Sequence, residues 1–475
     1  MSSMHARSWV SGQLLRSGTL LVGLGLAACG GSGYGGGSSS SMGPQLAPTI
    51  TIQVAPTTIT VGQSATLTWS SSNASTCTAS GGWSGTQNGS GTQSVTPTAA
   101  GPVMYTLMCV APTGSAYSGG GGGSASQSAT VTVNAATAFA VKNLVTDTAG
   151  GGGAVVDPNL TNPWGIVFGT GKPVWTANNG SQTSTLYDGN GTKLALTVAL
   201  PKDTGGNDFD GTGIIVNATT DFVVTSTTKT GPAVFIFSGE DGMLAGWNAG
   251  TAAVATYTDT GGASYKGLAI ASVGTANYLY ATDFHNNKID VFNGTWQKQT
   301  ISATSFPFVD PQLPAGYAPF GIQTLPTGAS GASQIYVTYA KQQGPDNHDN
   351  TNGAGLGVVD IYDTSGVFVK RLISPGAALN APWGLALAPA DFGTLSKTLL
   401  VGNFGDGKIN GYDPASGAFM GSVTTAGGAA FAVPGLWGIA FGNDVQNQPH
   451  NTLYFAAGTN NEVNGEYGRI DVPAP

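Results

Sequence analysis

Reactive side chains are few in this chain, so those that fall into a pattern carry most of the information. His285 stands two residues from Asp283 in the phrase Asp283-Phe284-His285-Asn286-Asn287. Residues i and i+2 of a strand share a face, so an Asp–His pair is geometrically allowed, and an oriented imidazole can serve as a general base. A plain polar loop histidine fits the same phrase. His348 and His450 lie in loop-like phrases with no partner at metal-ligand spacing. Short apolar runs end in Asn178-Asn179, in Asp283, in Tyr339 before Lys341, in Asn403 before Asp406, and just before Asn460-Asn461-Glu462. Oxygens converging from several such sites can hold a hard cation such as Ca²⁺, which takes about 6–8 oxygens at roughly 2.3–2.6 Å. Asn and Asp also favour turns for backbone reasons alone. Trp164, Phe320, Trp383 and Trp437 each immediately precede a glycine, and Tyr265 stands two residues before one. A ring of such aromatics would stack on a sugar or another flat ligand, or pack between sheets. The motifs HExxH, CxxC, GxSxG and the P-loop are absent. No catalytic residue and no metal ligand set is assigned, and Ca²⁺ is the one cofactor these residues suggest.

Composition limits what can position these groups. Of 475 residues, 8% are charged, 74 are glycine, and glutamate occurs only at Glu240, Glu462 and Glu466. Long helices and coiled coils need far more Glu, Lys and Arg than that. The net charge is −8 and no Lys/Arg cluster is present, so nucleic acid is excluded as a partner. A Gly/Thr/Val/Asn-rich all-β protein remains.

At the N-terminus His5, Arg7 and Arg16 precede the apolar run 20–26. That run is shorter than the about 20 residues of a bilayer-spanning helix and has signal-peptide length. It ends in Leu26-Ala27-Ala28-Cys29, which resembles the bacterial lipobox. Residues 1–28 are therefore expected to be a lipoprotein signal peptide with lipidation at Cys29. Gly30 follows the cysteine, resembling the outer-membrane sorting pattern. Residues 29–47 read as a Gly/Ser-rich linker with a reach of roughly 20–25 Å.

Residues 48–135 alternate apolar and polar positions (Ile50, Ile52, Val54; Ala65, Leu67, Trp69; Val131, Val133) between Gly, Asn, Ser and Pro. Such runs predict the short strands of a β-sandwich. In an oxidising compartment one lipidated and two paired cysteines use all three, so a Cys77–Cys109 disulfide is expected; two free buried thiols are the alternative. VGQSATLTWSSSNASTCTASGGWSG and YTLMC resemble a bacterial Ig-like module of surface proteins, which implies a spacer or adhesive role.

From residue 138 a phrase recurs six times: NPWGIVF, DGTGIIV, YKGLAI, APFGIQT, APWGLAL and GLWGIAF. Its glycines are Gly165, Gly213, Gly267, Gly321, Gly384 and Gly438, and each phrase leads into a second and a third strand-like run (VWTAN, FVVTST, YLYATD, IYVTYA, LLVGNF and LYFAAG as the second). Four strands per unit of roughly 50 residues is the signature of propeller blades. A six-bladed β-propeller over 138–472 is predicted. The last repeat lacks room for a fourth strand, and Phe139–Val145 is expected to supply it and close the ring. The repeat glycine is expected to let backbones pass closely near the axis. Phrases such as DPNLTNPWGI, YATDFHNNKIDVF, LNAPWGLALAPADFG and LLVGNFGDGKINGYDPASGAF resemble NHL-like propellers, and more closely a family of exported bacterial propeller proteins of unassigned function. That resemblance implies the fold and leaves the substrate open. Repeat four carries an insertion at 341–357 rich in Asp, His and Asn.

These readings predict a lipid-anchored cell-envelope protein, at the outer membrane, whose propeller is a ligand- or protein-binding platform. The alternative is a metal-dependent lactonase- or lyase-like enzyme at the channel mouth. The expected ligand site comprises Asn178, Asp283, His285, Asn403, Trp164, Phe320, Trp383 and Trp437. The expected partners are the membrane, through the lipid, and a protein or carbohydrate ligand; the chain is expected to be a monomer.

Overall fold

The computed structural model describes residues 47–472 apart from 61–62, 98, 113–122, 135–137, 204, 328–331, 377 and 427. The expectations for the signal peptide, for Cys29 and for the linker up to residue 46 lie outside the described residues. Among the described residues the regular structure is all β except for one 3₁₀ turn at Gly393–Leu395.

Residues Thr49–Asn134 build two sheets over one core. The smaller joins Thr49–Ala55, Ala65–Ser72 and Ser90–Val95, and the larger is ordered Thr58–Thr60, Ser124–Asn134, Gly101–Val110, Thr76–Gly81, Gly85–Gln87. Ala65, Leu67 and Trp69 point into the core while Thr66, Thr68 and Ser70 face out, as period-2 alternation requires. Leu67, Leu107, Val131 and Val133 are fully or almost fully buried, and Trp69 meets Trp83 edge-on at 5.1 Å between ring centroids. Cys77 and Cys109 form a disulfide. They oppose each other directly on neighbouring strands of the larger sheet, so the bond joins two strands of one sheet rather than the two sheets.

Six further antiparallel sheets follow. Each begins with its innermost strand: Pro163–Phe168, Gly211–Val216, Tyr265–Val273, Tyr317–Thr327, Pro382–Leu387 and Leu436–Phe441. Each inner strand packs on the next, and Leu436–Phe441 packs on Pro163–Phe168, so the set closes on itself as a β-propeller. The closing strand is Ala140–Thr146, which pairs antiparallel with Glu466–Asp471 of the last sheet, as expected for Phe139–Val145. Val155–Val156 adds a short parallel strand outside it.

The repeat glycines sit at a β-bulge. In every inner strand the register shifts at or beside the glycine, as between Pro163 and Ile166 or between Leu436 and Ile439. A Cβ on Gly213 would lie 2.6 Å from the Leu268 amide nitrogen, and one on Gly384 would lie 2.6 Å from the Trp437 carbonyl oxygen. A Cβ on Gly321 would overlap the Trp383 carbonyl. Close approach, not a left-handed backbone, is the reason for glycine here.

Two repeats depart from the expected strand order. In repeat two, Val223–Thr225 pairs with Thr230–Pro232 as a separate hairpin, and the second strand of the sheet is Phe235–Gly239. The phrase FVVTST was expected to be that second strand. Its Val223 is exposed, whereas a second strand is covered on both faces by neighbouring sheets, as Phe235–Gly239 is along its whole length. Repeat three has only three strands. Beyond them, Lys298 pairs with Phe292 and the Gln299 amide donates to the Val291 carbonyl, and Phe306 and Phe308 pack against Tyr278, Tyr280 and Tyr362.

Candidate functional site

The six residues that precede the repeat glycines are Trp164, Thr212, Lys266, Phe320, Trp383 and Trp437. They begin the inner strands at one end of the central channel. Trp164, Phe320 and Trp437 are buried, and with Phe284, Ala318, Ala340 and Ala381 they form one apolar cluster against which Trp383 and Phe404 pack. Trp164 stacks on Trp437 at 3.4 Å, and Trp383 meets both edge-on at 6.2 and 5.8 Å. The aromatic faces are thus occupied by one another and close the channel, whose interior beyond them narrows to a cavity of about 30 Å³ lined by Ile166, Ile214, Leu268 and Ile439 among others.

Lys266 stands where other repeats place Trp or Phe. It is only 3% exposed. Its ammonium pairs with Glu240 and lies 5.3 Å from the Trp164 ring centroid and 5.9 Å from that of Phe284. A buried ammonium is sustained only when charge and hydrogen-bond partners replace its water. Cation–π contact supplies part of that replacement. From Glu240 a polar chain runs around the mouth. Asn179 Nδ2 donates to Glu240 Oε2 at 2.8 Å, Asn162 Nδ2 donates to Asn179 Oδ1 at 3.2 Å, and the same Nδ2 reaches Glu462 Oε2 at 3.1 Å. Burial raises the Glu462 carboxyl above its ordinary range, opposed by the Asn162 hydrogen bond and reinforced by the charge of Glu240. Asn460, Asn461 and Glu462 are three consecutive residues with left-handed backbone, φ 54°, 54° and 66°. That conformation is costly for Glu, so the turn is held by its surroundings.

Beside Glu462 opens a cavity of about 510 Å³ between the fifth and sixth repeats. Phe404, stacked on Trp437 at 4.1 Å, is part of its lining. Asp406, Glu462, Asn461 and Asn352 contribute polar groups, Asn352 from the repeat-four insertion.

The residues singled out from sequence meet different fates. Asn178, Asp283 and Asn403 occupy the same place, the last residue of the second strand of their sheets. Asn178 Oδ1 accepts from Thr176 Oγ1 at 2.8 Å and its Nδ2 donates to Thr183 and Thr185. Asp283 accepts from the backbone of Ser264 and Asn286, from Asn286 Nδ2, and pairs with Lys288 at 3.4 Å. Asn403 Nδ2 donates to the Ala378 carbonyl and to Asp406. These groups serve their own sheets and turns, and their oxygens do not converge on a common point. Among the described residues no three His, Cys, Asp or Glu side chains gather as a metal site. The Asp283–His285 hydrogen bond that the spacing allowed is not made, and His285 is the loop histidine that was its alternative. Asp283 ends the strand and His285 lies in the turn that follows, where the i, i+2 rule of an extended chain no longer holds. His285 Nδ1 instead lies 2.8 Å from the Asp346 carbonyl, and its ring stacks on His348 at 4.4 Å, which seats the insertion against repeat three. Sequence reasoning passed over Lys266 and Glu240. The signals were a lysine in an otherwise aromatic or Thr position, and one of only three glutamates.

No family model matches the chain. It is 31% identical over 331 residues to the uncharacterized protein R648 of Acanthamoeba polyphaga mimivirus, covering 67% of this chain and 76% of that protein. It is 30% identical over 328 residues to the uncharacterized mimivirus protein L690, covering 66% and 81% respectively. Among solved structures, virginiamycin B lyase from Staphylococcus aureus covers 70% of this chain and all of its own at 15% identity and a TM-score of 0.38. These sequence relatives are viral, whereas the motifs had suggested a bacterial family. The chain belongs to the protein family of mimivirus R648 and L690, whose members named here are uncharacterized.

Proposed function

We propose that the propeller mouth is the ligand-binding site of an exported, lipid-anchored binding protein. In this reading each of the six sheets over 138–472 is one blade, residues 48–135 form an Ig-like sandwich acting as spacer, and Cys29 carries the lipid at the cell envelope. The observation that carries the function is the open cavity of about 510 Å³ beside the half-buried Glu462. Concave sites with a few placed polar groups are where small ligands bind. The ligand is a small molecule, or an exposed group of a protein or carbohydrate, held against Phe404 and Glu462. Asn352→Trp, a substitution at an exposed cavity-lining position, should abolish thermal stabilisation by any ligand found in a screen of the full chain. A ligand that stabilises wild type and Asn352→Trp equally binds elsewhere and sinks this reading. For the anchor, Cys29→Ser should move the protein from the detergent phase to the aqueous phase.

A lactonase- or lyase-like enzyme at the same mouth is the second reading. It is favoured by one observation: Glu462, a carboxyl whose pKa burial raises, stands at a cavity edge, and such a group can donate or accept a proton. Glu462→Gln would then remove turnover of a lactone or an elimination substrate while leaving ligand binding measurable.

A further inference from the structure

Three carboxylates surround the mouth, and two have cationic partners. Glu240 pairs with Lys266, and Asp406 Oδ2 lies 3.3 Å from Lys408 Nζ. Glu462 has no ion pair among the described residues; Asn162 Nδ2 donates to it. Beyond burial and that hydrogen bond, the charges that act on it from farther off are those of Glu240 and Asp349, which raise its pKa, and of Lys266, which lowers it. Two further oxygens sit just behind the cavity wall. The oxygens Asn162 Oδ1 and Asn403 Oδ1 are buried with no donor, on residues 5% and 0% exposed. The Asn162 amide cannot be turned to cure this, because its Nδ2 already serves Asn179 and Glu462. Asn162 Oδ1 lies against Gly458, a wall of the cavity, where a Cβ would overlap it. Asn403 directly precedes Phe404 and Gly405, two more lining residues. Both oxygens lie behind the cavity wall and not in its lining, so they add to the negative potential there without touching a ligand. The unpaired indole N–H groups of Trp164 and Trp437 belong to the aromatic cluster and not to the cavity lining. Phe404 adds an aromatic face, and Lys266 over Trp164 shows that this mouth already holds one ammonium against a ring.

We propose that the cavity beside Glu462 takes an organic cation, an ammonium group on a small body with an apolar or flat face. Glu462 supplies the counter-charge, held in place by the Asn162 Nδ2 hydrogen bond, and Phe404 the cation–π and stacking surface. This rests on the reading of the mouth as a binding site and adds the ligand's charge to it.

The test is calorimetry on the full chain with matched probes: tyramine against 4-ethylphenol, and glucosamine against glucose. The amine of each pair should bind about tenfold or more tightly than its neutral partner, the scale of one charge-assisted hydrogen bond. Glu462→Gln should remove that preference, and Phe404→Leu should weaken tyramine more than glucosamine. Amine binding should also weaken on acidification through the raised pKa of Glu462, because the protonated carboxyl carries no charge. Circular dichroism checks that both variants are folded. Neutral partners binding as tightly as the amines, with the binding lost in Asn352→Trp, would overturn the cation assignment and leave the binding site standing. Amines that bind wild type and Glu462→Gln alike would overturn it as well. No heat with any probe would overturn the proposal for these amines and the small-molecule form of the site together.

Discussion

The N-terminal module and the propeller satisfy the polar groups of β-sheets with different chemistry. Between Arg16 and Lys142 there is no Asp, Glu, Lys, Arg or His. All 24 acidic residues lie from Lys142 onward with 14 of the 16 basic ones, since only Arg7 and Arg16 precede, so that region carries 14 − 24 = −10. The module covers its outer faces with hydroxyl pairs, such as Thr51 with Ser70 at 2.7 Å and Thr106 with Ser128 at 2.8 Å. One disulfide supplements its core. The propeller uses buried charge, as where Tyr265 Oη and Lys298 Nζ both meet Asp290, 2.9 and 2.5 Å away. These hydroxyls are exposed, keep water as an alternative partner and do not titrate. Buried charges cost several kcal/mol unless paired. They pair in specific geometries, and the same chemistry, left incomplete at Glu462, makes a site. The contrast predicts that pH and ring geometry govern the propeller while covalent linkage governs the module.

The largest effect should come from opening the ring. A chain starting at residue 148 lacks Ala140–Thr146 and leaves Glu466–Asp471 as an unpaired edge, a template for aggregation. It should be insoluble or molten, while a chain starting at residue 136 should be a folded monomer. Equal melting temperatures for the two would remove the closure argument. Among substitutions, Gly321→Val comes first. Its side chain would overlap the Trp383 carbonyl of the adjacent repeat, and backbone cannot yield as a side chain can. A loss of about 3 kcal/mol or more is expected, read in the propeller transition by calorimetry with the module's transition unmoved.

Joint replacement of Cys77 and Cys109 by alanine should cost the module about 2–4 kcal/mol and leave the propeller's melting temperature unchanged. A shift in both transitions would show that the two regions unfold together.

A pH series separates them further. Burial pushes Glu466 up to about 7 and Asp241 up to about 7, where Asp210 reinforces it and the Met243 amide opposes it. Burial and Asp310 together push Asp360 up to about 8 against the pull of Arg371. These groups bind their proton more tightly folded than unfolded, so their contribution is complete below the unfolded pKa, near 4. It is lost as pH rises through 7 to 8. Asp259 behaves oppositely. Burial would raise it, but Lys298 and the amides of Ala263 and Gly261 hold it down to about 2, so its contribution is lost below pH 4. The propeller should therefore be most stable near pH 4 and lose stability steadily from there to pH 8, by roughly 5–10 kcal/mol. The module, with no carboxyl, lysine or histidine, should melt at one temperature from pH 3 to 9. The smallest effect is Thr51→Val, which removes one exposed hydroxyl pair and should change module stability by no more than about 0.5 kcal/mol, measured in urea.

Much of the fold was legible because alternation and glycine spacing are local. YLYATD, IYVTYA and LLVGNF are second strands as read, and Phe139–Val145 is the closing strand within a residue. Repeat two misled because FVVTST alternates as well as a true ladder strand does, and only its exposed Val223 betrays the hairpin. The site was half legible. The aromatic phrase marked the mouth, but Asp283 and His285, chosen for their spacing, turn to different neighbours. Lys266 was hidden inside a phrase read for its glycine.

The sequence by itself determined the six-fold phrase, the glycine of each inner strand and the partition of charge between the two regions. These are properties of composition and short-range order. The structure decided between a Cys77–Cys109 bond and two free thiols. Only the tertiary structure decided that residues 162, 179, 240, 266 and 462 form one polar chain, and that Trp164 lies against Trp437. The reason is closure. A ring sets the starts of all its inner strands around one axis, so residues hundreds of positions apart become neighbours at the mouth, and no local period encodes which of them will touch.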